Sequence, residues 1–275
     1  RPAQALAGGP FFERGRGQLR MNQIIVIALN TFRETLRDKI LYNLVFFGLL
    51  LIGSSILLGS LTMGEQAKII QDLGLASINL FGTLIAIFVG IGLVSKEIEK
   101  RTIYSIIAKP IPRYLFPLGK YSGLALTLFV NIAIMAAGFF LILLVSGAGL
   151  NLALLKAIGL IFVELLVITA VAVMFSTFTT PMLSATFTLA IYVIGHLTAD
   201  LRVLGAKLQS ELTTGVLDGL YYVLPNLEYF NVKGQAVHGI PIVWSYLVSA
   251  VAYGVLYSAA VLALACVIFQ RRDFK

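Results

Sequence analysis

The sequence predicts an all-α integral membrane protein with six transmembrane helices. Apolar residues make up 59% of the 275 residues and charged residues 12%, whereas soluble domains contain roughly 45–50% and about 25%. Six apolar stretches are also long enough to cross the bilayer, since a helix needs about 20 residues to span about 30 Å of hydrocarbon. These stretches leave little sequence between them, which excludes a large aqueous catalytic domain.

The first predicted element is an amphipathic helix at residues 22–39. Its apolar residues recur at spacings of three and four, at Ile25, Leu29, Phe32 and Leu36, so we expect it to lie in the membrane interface. Residues 1–20 lack the apolar centre of a secretory signal, and Met21 fits a natural start. We therefore treat residues 1–20 as an extension outside the fold and 21–275 as one transmembrane domain.

The six predicted spans follow this helix. They cover residues 40–61, 73–94, 121–145, 152–175, 182–201 and 240–269. Pro181 and Pro241 stand just before the last two, where a missing backbone N–H costs least. The final stretch exceeds a perpendicular crossing, so it tilts or projects, and Trp244 and Tyr246 suit the interfacial aromatic belt.

The distribution of positive charge predicts the orientation. Sixteen Lys and Arg residues fall on one side of these spans and five on the other, or 12 against five without the first twenty residues. The positive-inside rule then places both termini and residues 95–120 in the cytoplasm, in the inner (cytoplasmic) membrane of a cell. The net charge of +8 is thereby explained by cytoplasmic loops, and we expect no nucleic-acid partner.

The long connector before the last span predicts an amphipathic or re-entrant segment at the outer surface. Within residues 202–239, apolar residues recur every four positions and three charged residues stand between them, Lys207, Glu211 and Asp218. A seventh span there would bury those three charges at about 2.5–3.5 kcal/mol each.

Several kinds of chemistry are missing from the sequence. The only Gly-Lys pair is Gly119–Lys120, and Tyr114 occupies the position of the first glycine of a GxxxxGK[ST] phosphate loop. The chain has one cysteine, Cys266, and two histidines, His196 and His238, which gives no disulfide and no ligand spacing for a metal. We therefore expect no catalytic residues, no metal and no cofactor in this chain.

The densest polar segment lies between the second and third spans. Charged residues beginning at Lys96 are followed by isoleucines at helical spacing, and Pro110 and Pro112 end the pattern. This pattern predicts a short amphipathic helix below the membrane. It is either a solvated loop or a docking helix for a cytoplasmic partner.

The order of these elements resembles the type 2 ABC transporter permeases, the ABC-2 family. The resemblance rests on KEIEKRT at residues 96–102, IIAKPIPR at 106–113, the Gly-Lys before the third span, and YYVLPNLEYFN at 221–231. It covers nearly all of residues 22–275. Its combination of features, rather than any single motif, favours the docking interpretation of the cytoplasmic segment.

The resemblance implies a complex of two permeases, identical or homologous, with two separate ABC ATPase subunits that bind ATP and Mg²⁺. The segment between spans two and three would be the coupling helix, residues 176–181 a smaller contact, and the N-terminal helix the connecting helix. The implied ATPase contacts are Glu97, Glu99, Lys100, Arg101, Thr102, Ser105 and Lys109.

Polar residues inside the spans are candidates for a substrate path. Glu164 is costly there unless paired or hydrated, so it has either a functional role or an interhelical hydrogen bond. The family resemblance places spans one, two and five at the dimer interface, which adds Asn43, Asn79 and Tyr192 to the path. His196, one turn before Asp200, forms either a proton-linked pair or a packing pair with it.

The function that these features favour is the membrane subunit of an ATP-driven exporter. Its apolar spans suit an amphipathic or lipid-like substrate. The alternatives are a secondary transporter driven by an ion gradient, with Glu164 and His196 as coupling residues, and an ABC complex that transmits mechanical work to a periplasmic protein. An intramembrane enzyme is disfavoured because no nucleophile and base converge.

Overall fold

The computed structural model describes residues 10–62, 64–99, 112–198, 219 and 223–271. In these ranges the chain is helical, without strands, which confirms the predicted all-α class. The helices are α1 (Pro10–Thr35), α2 (Lys39–Ser60), α3 (Gln66–Glu99), α4 (Leu115–Ser146), α5 (Leu152–Ser176), α6 (Pro181–His196), α7 (Lys233–Val237) and α8 (Trp244–Arg271), with a 3₁₀ turn at Leu227–Phe230.

Within the described residues, five helices are long and apolar enough to cross a membrane, namely α2, α3, α4, α5 and α8. The fifth predicted span corresponds to α6, an apolar helix of 16 residues. At a rise of 1.5 Å per residue it is about 24 Å long, which is less than the roughly 30 Å of hydrocarbon. As described, helix α6 alone is therefore shorter than a full crossing.

Several helix boundaries differ from the sequence prediction. Helix α6 begins with Pro181 in its first turn, as expected, but ends at His196 rather than residue 201. Helix α8 begins at Trp244, so Pro241 lies in the preceding loop and not at the helix start. Helix α1 begins at Pro10, inside the segment that we left outside the fold.

Helices α3 and α5 form the centre of the bundle. Helix α3 contacts α2, α4, α5 and α6, while α5 contacts α3, α4, α6 and α8. About 72% and 67% of the most apolar segments of α3 and α5 are buried, against 28% and 22% for α2 and α8. The side chains with the least access to lipid are thus carried by α3 and α5.

Residues 223–243, which we call the cap, fold back onto the bundle at the end where α6 stops. Leu227, Phe230 and Val232 are almost completely buried, and the cap contacts α3, α5 and α6. Irregular backbone at membrane depth is tolerated where protein covers it. The cap therefore fills the space that the short α6 leaves.

Helix α1 packs against the first turns of α4 through two glycines. A Cβ at Gly119 would lie 2.6 Å from Ile27, and one at Gly123 would lie 2.5 Å from the carbonyl oxygen of Ala28. This contact makes the Gly119–Gly123 pair a site of close packing. The apolar residues Ile25 and Leu29 remain 48% and 43% exposed, on a side available to lipid.

An ion pair accompanies this helix contact. Lys120 of α4 is almost fully buried, and its Nζ lies 3.6 Å from Oε2 of Glu34 on α1. The same ammonium lies 5.8 Å from the ring centroid of Phe116, a geometry that adds a cation–π attraction. Helix α1 and the start of α4 are therefore held together by close packing and charge.

We expect Gly123→Ala to weaken the contact between α1 and α4. The new Cβ would meet the Ala28 carbonyl at 2.5 Å, and backbone yields poorly, so the variant should lose about 1–3 kcal/mol of stability. Thermal unfolding in detergent measures this loss. Gly159→Ala is the matched control, since a Cβ there meets nothing within 4 Å. Equal midpoint temperatures of unfolding for the two variants would contradict the close packing of α1 against α4.

Candidate functional site

Five polar residues meet where α3, α5 and α6 pack together, and we call them the polar cluster. Asn79 and Thr83 lie one turn apart on α3, and Tyr192 and His196 lie one turn apart on α6. Glu164 lies halfway along α5. Residues four apart share one helix face, so α3 and α6 each present two polar groups to the same region.

The α3 part of the cluster is linked by hydrogen bonds. Thr83 Oγ1 donates to Asn79 Oδ1 at 3.4 Å, and the Tyr192 hydroxyl is hydrogen-bonded to Thr83. Asn79 and Thr83 are each only 3% exposed. This chain of contacts connects α3 to α6 inside the bundle.

The α5 part of the cluster is an acid facing an imidazole. Glu164 Oε1 lies 3.3 Å from His196 Nε2, and the glutamate side chain is 1% exposed. His196 Nδ1 lies 3.1 Å from the Tyr192 carbonyl oxygen. A carbonyl can only accept, so Nδ1 carries a proton and donates it, which leaves Nε2 to face the acid.

The contact between Glu164 and His196 is long, and neither facing atom has another hydrogen-bond partner. Two bare acceptors at this distance would repel each other. One proton placed between Oε1 and Nε2 turns the contact into a hydrogen bond or an ion pair, and it leaves the pair without net charge. The geometry therefore suits one shared proton.

The cap is attached directly beside this pair. A Cβ at Gly195 would lie 2.8 Å from the Pro225 carbonyl oxygen, so the cap backbone touches the residue before His196. Two residues beyond, Thr198 Oγ1 donates to Asn226 Oδ1 at 3.1 Å. The cap is thus attached to the chain just before and just after the histidine.

Tyrosines and one lysine hold the rest of the cap. The hydroxyls of Tyr246 and Tyr257 donate to carbonyls within the cap at 2.8 and 3.0 Å, and the Asn226 N–H donates to the Tyr253 hydroxyl at 2.9 Å. Lys156 Nζ donates to the Ile242 carbonyl at 2.8 Å and lies 4.4 Å from the Trp244 ring centroid. Helices α5 and α8 thereby clamp the cap.

The cap also brings two charged groups toward the cluster. The Glu228 carboxylate and the Lys233 ammonium both act electrostatically on Glu164 and His196. Glu228 Oε1 accepts a hydrogen bond from Asn231 Nδ2 at 2.9 Å. These opposite charges partly cancel at the cluster while the cap is in place.

Three of the four residues that we expected in a substrate path belong to the polar cluster: Asn79, Glu164 and Tyr192. Asn43 does not, because it lies exposed on α2, in the second turn of that helix. His196 faces Glu164, while Asp200, its expected neighbour, lies outside the described residues. We did not single out Thr83 and Thr198, although Thr83 follows Asn79 at the four-residue spacing that marks a shared face.

The expected ATPase contacts are mostly outside the described residues, namely Lys100, Arg101, Thr102, Ser105 and Lys109. The backbone of Glu97 and Glu99 forms the last turn of α3. These two residues therefore continue the second span without a break. Among the described residues, no group of three or more His, Cys, Asp or Glu side chains is placed to hold a metal ion.

The family model described as ABC-2 family transporter protein matches residues 25–274. The chain belongs to the ABC-2 transporter family. The matched range includes the polar cluster, the cap and most of the described part of the bundle. No curated protein matches the chain. As an ABC-2 permease, the chain is an integral membrane component of transport and not itself a catalyst.

We expect Glu164 and His196 to be coupled energetically in the folded permease. Glu164→Leu leaves Nε2 of His196 buried without a partner, which should cost about 1–3 kcal/mol. The double variant Glu164→Leu, His196→Leu should cost less than the sum of the two single variants, by about 0.5–3 kcal/mol. Denaturant unfolding in detergent measures this cycle.

The control cycle pairs Glu164→Leu with Thr127→Val. Thr127 is buried on α4 and donates to the Gly123 carbonyl, away from the cluster. Its effect should add to that of Glu164→Leu, because unconnected sites are additive. Additivity in both cycles would show that the acid and the imidazole do not interact.

Proposed function

We propose that this permease is the membrane subunit of an ATP-driven exporter for an amphipathic or lipid-like substrate. The observation that carries the proposal is the ABC-2 family match over residues 25–274 in a sequence without a phosphate loop. Transport would be powered by two separate ABC ATPase subunits, each binding ATP with Mg²⁺. Two permease copies, identical or homologous, would complete the complex.

The proposed topology has six spans, with both termini in the cytoplasm of an inner-membrane protein. Helices α2 to α5 and α8 supply five spans, and α6 together with the cap supplies the sixth. The excess of Lys and Arg at one end of the bundle supports this orientation. In this arrangement the cap lies toward the outer surface.

Helix α3 is suited to transmit force from an ATPase. It has 34 residues, which is about 51 Å at 1.5 Å per residue, so it exceeds the hydrocarbon thickness by about 20 Å. Its last turn holds Glu97 and Glu99, the first of the proposed ATPase contacts. A continuous helix moves its two ends together, so displacement at Glu99 would reach the polar cluster.

The turn between α5 and α6 is the second proposed ATPase contact. The proposed contact covers residues 176–181, where the hydroxyls of Thr177 and Thr179 donate to the Met174 and Phe175 carbonyls at 2.6 and 2.8 Å. These bonds stiffen the turn against the end of α5. Helix α1, fixed to α4, would act as the connecting helix.

The apolar outer surface of the bundle supports the proposed substrate class. Helices α2 and α8 carry mainly apolar exposed side chains, while polar groups are concentrated inside the bundle. A substrate path between these surfaces would suit an amphipathic molecule. The apolar part of the molecule needs no hydrogen bonds, and its polar part could reach Asn79, Glu164 or Tyr192. Asn43, exposed near the start of α2, is available to the second copy.

Co-purification tests the ATPase partnership. We expect the permease, purified from its native host in mild detergent, to carry an ATP-hydrolysing subunit, and Glu97→Lys, Glu99→Lys to lose at least 90% of that activity by charge reversal at the contact. The matched control is Glu65→Lys, which alters an exposed carboxylate paired with Lys68 at 2.7 Å at the far end of α3. The control should retain the ATPase.

Each other outcome selects a different function. An intact permease without any ATPase would favour the gradient-driven transporter. An ATPase that both variants retain would remove Glu97 and Glu99 from the contact. An ATPase that no amphipathic compound stimulates in proteoliposomes, and that changes only when a periplasmic protein is added, would favour mechanical work on that protein.

A further inference from the structure

We infer that Glu164 and His196 form a binding site for a single proton and that docking of the cap onto α6 depends on this proton. The inference concerns the permease alone. It requires neither an ATPase partner nor a particular substrate. Failure of this inference would therefore leave the proposed function intact, and failure of the proposed function would leave this inference intact.

The number of protons follows from the geometry of the pair. Nδ1 of His196 is committed to the Tyr192 carbonyl at 3.1 Å, so only Nε2 can exchange a proton with Glu164 at 3.3 Å. With no proton in the contact the pair carries one negative charge, and with two it carries one positive charge. Only the state with one proton is neutral, and a buried site favours neutrality.

The cap controls whether water can reach this pair. Its backbone touches Gly195, and Asn226 accepts a hydrogen bond from Thr198 at 3.1 Å, so the cap is attached to the chain just before and just after His196. Water would stabilise either charged state of the pair. Gaining or losing a proton therefore favours the released cap, and the single-proton state favours the docked cap.

Side chains from α3, α6, α8 and the cap surround the pair. Helix α3 presents uncharged Asn79 and Thr83, and Tyr192 and Tyr253 keep their protons at neutral pH. The cap contributes one carboxylate, Glu228, and one ammonium group, Lys233. Between about pH 5 and 9, the response of the docked site belongs to Glu164 and His196.

Proton linkage then fixes the sign of the pH dependence. In water a glutamate ionises near pH 4.3 and an imidazole loses its proton near pH 6.5. Above about pH 6.5 the released state holds no proton on the pair, whereas the docked state holds one. The equilibrium constant for cap docking should therefore fall about tenfold per pH unit above pH 6.5, until the docked pair also loses its proton.

Glu164→Gln should reverse this sign. The docked state then contains a neutral imidazole with no titratable partner, and the released state gains a proton below about pH 6.5. The equilibrium constant for cap docking then becomes independent of pH above about pH 6.5. Below that pH it falls about tenfold per pH unit. His196→Gln leaves a protonated acid in the docked state, so the alkaline weakening should begin near pH 4.3, about two units lower.

The single tryptophan of the chain is a natural reporter of the cap. Trp244 begins α8 directly after the cap, and Lys156 holds both its ring and the Ile242 carbonyl. We would follow Trp244 emission and its quenching by iodide in nanodiscs of zwitterionic lipid, from pH 4.5 to 9. The wild type should become more accessible above pH 6.5, and Glu164→Gln below it.

His238→Gln is the matched control because His238 is the only other histidine and is exposed in the same region, with Nδ1 2.8 Å from the Gly234 carbonyl. It should keep the wild-type profile. Thr198→Val, which removes a hydrogen bond to the cap, should raise accessibility at every pH without changing the sign. Variants are compared at equal helical content by circular dichroism.

Three results would overturn the inference. One is a transition that disappears in His238→Gln, since the reporter would then follow the surface histidine. Another is a Glu164→Gln profile with the same sign as the wild type. The third is a wild-type profile that is flat from pH 5 to 9.

Discussion

Placing a carboxylic acid in the middle of an apolar helix constrains the neighbouring elements of this permease. Glu164 needs a partner inside the bilayer, because an isolated polar group there is costly. The partner is His196 at 3.3 Å, the last residue of α6, so the helix that supplies it ends at that depth. At this end of α6 the cap packs against α3, α5 and α6.

Close backbone approach allows this arrangement to pack. Lipid provides no hydrophobic force between helices, so small residues and hydrogen bonds hold membrane bundles together. The cap meets α6 at Gly195 and α8 at Gly254, where a Cβ would lie 2.8 Å from Pro225 and 3.1 Å from Phe230. Helix α1 meets α4 at Gly123 in the same way. Both peripheral elements thus dock on glycines, and side chains add specific hydrogen bonds or charge.

Much of this architecture could be predicted from the sequence, because length and hydropathy report membrane spans directly. Close packing at Gly119–Gly123 was also predictable, since the GxxxG spacing has a mechanism. The Glu164–His196 pair was not, because α5 is apolar all round and its sequence does not reveal which face meets α6. The early end of α6 was also missed, since the residues after His196 continue its apolar pattern. Cap burial depends on contacts with α3 and α5, which local periodicity cannot encode.

Helix α3 connects the two regions that a transporter must couple, namely the polar cluster and the proposed ATPase contact. Asn79 and Thr83 lie on α3, and so does Glu99 in its last turn, about 30 Å from Asn79 at 1.5 Å per residue. A helix without a break transmits displacement over that distance, whereas a hinge would absorb it. Movement of the Glu99 end would therefore shift the hydrogen bonds between α3 and Tyr192, and with them the helix that holds His196 and the cap. In the transporter we propose, work done at the cytoplasmic end could reach the far side through α3 and α6 alone.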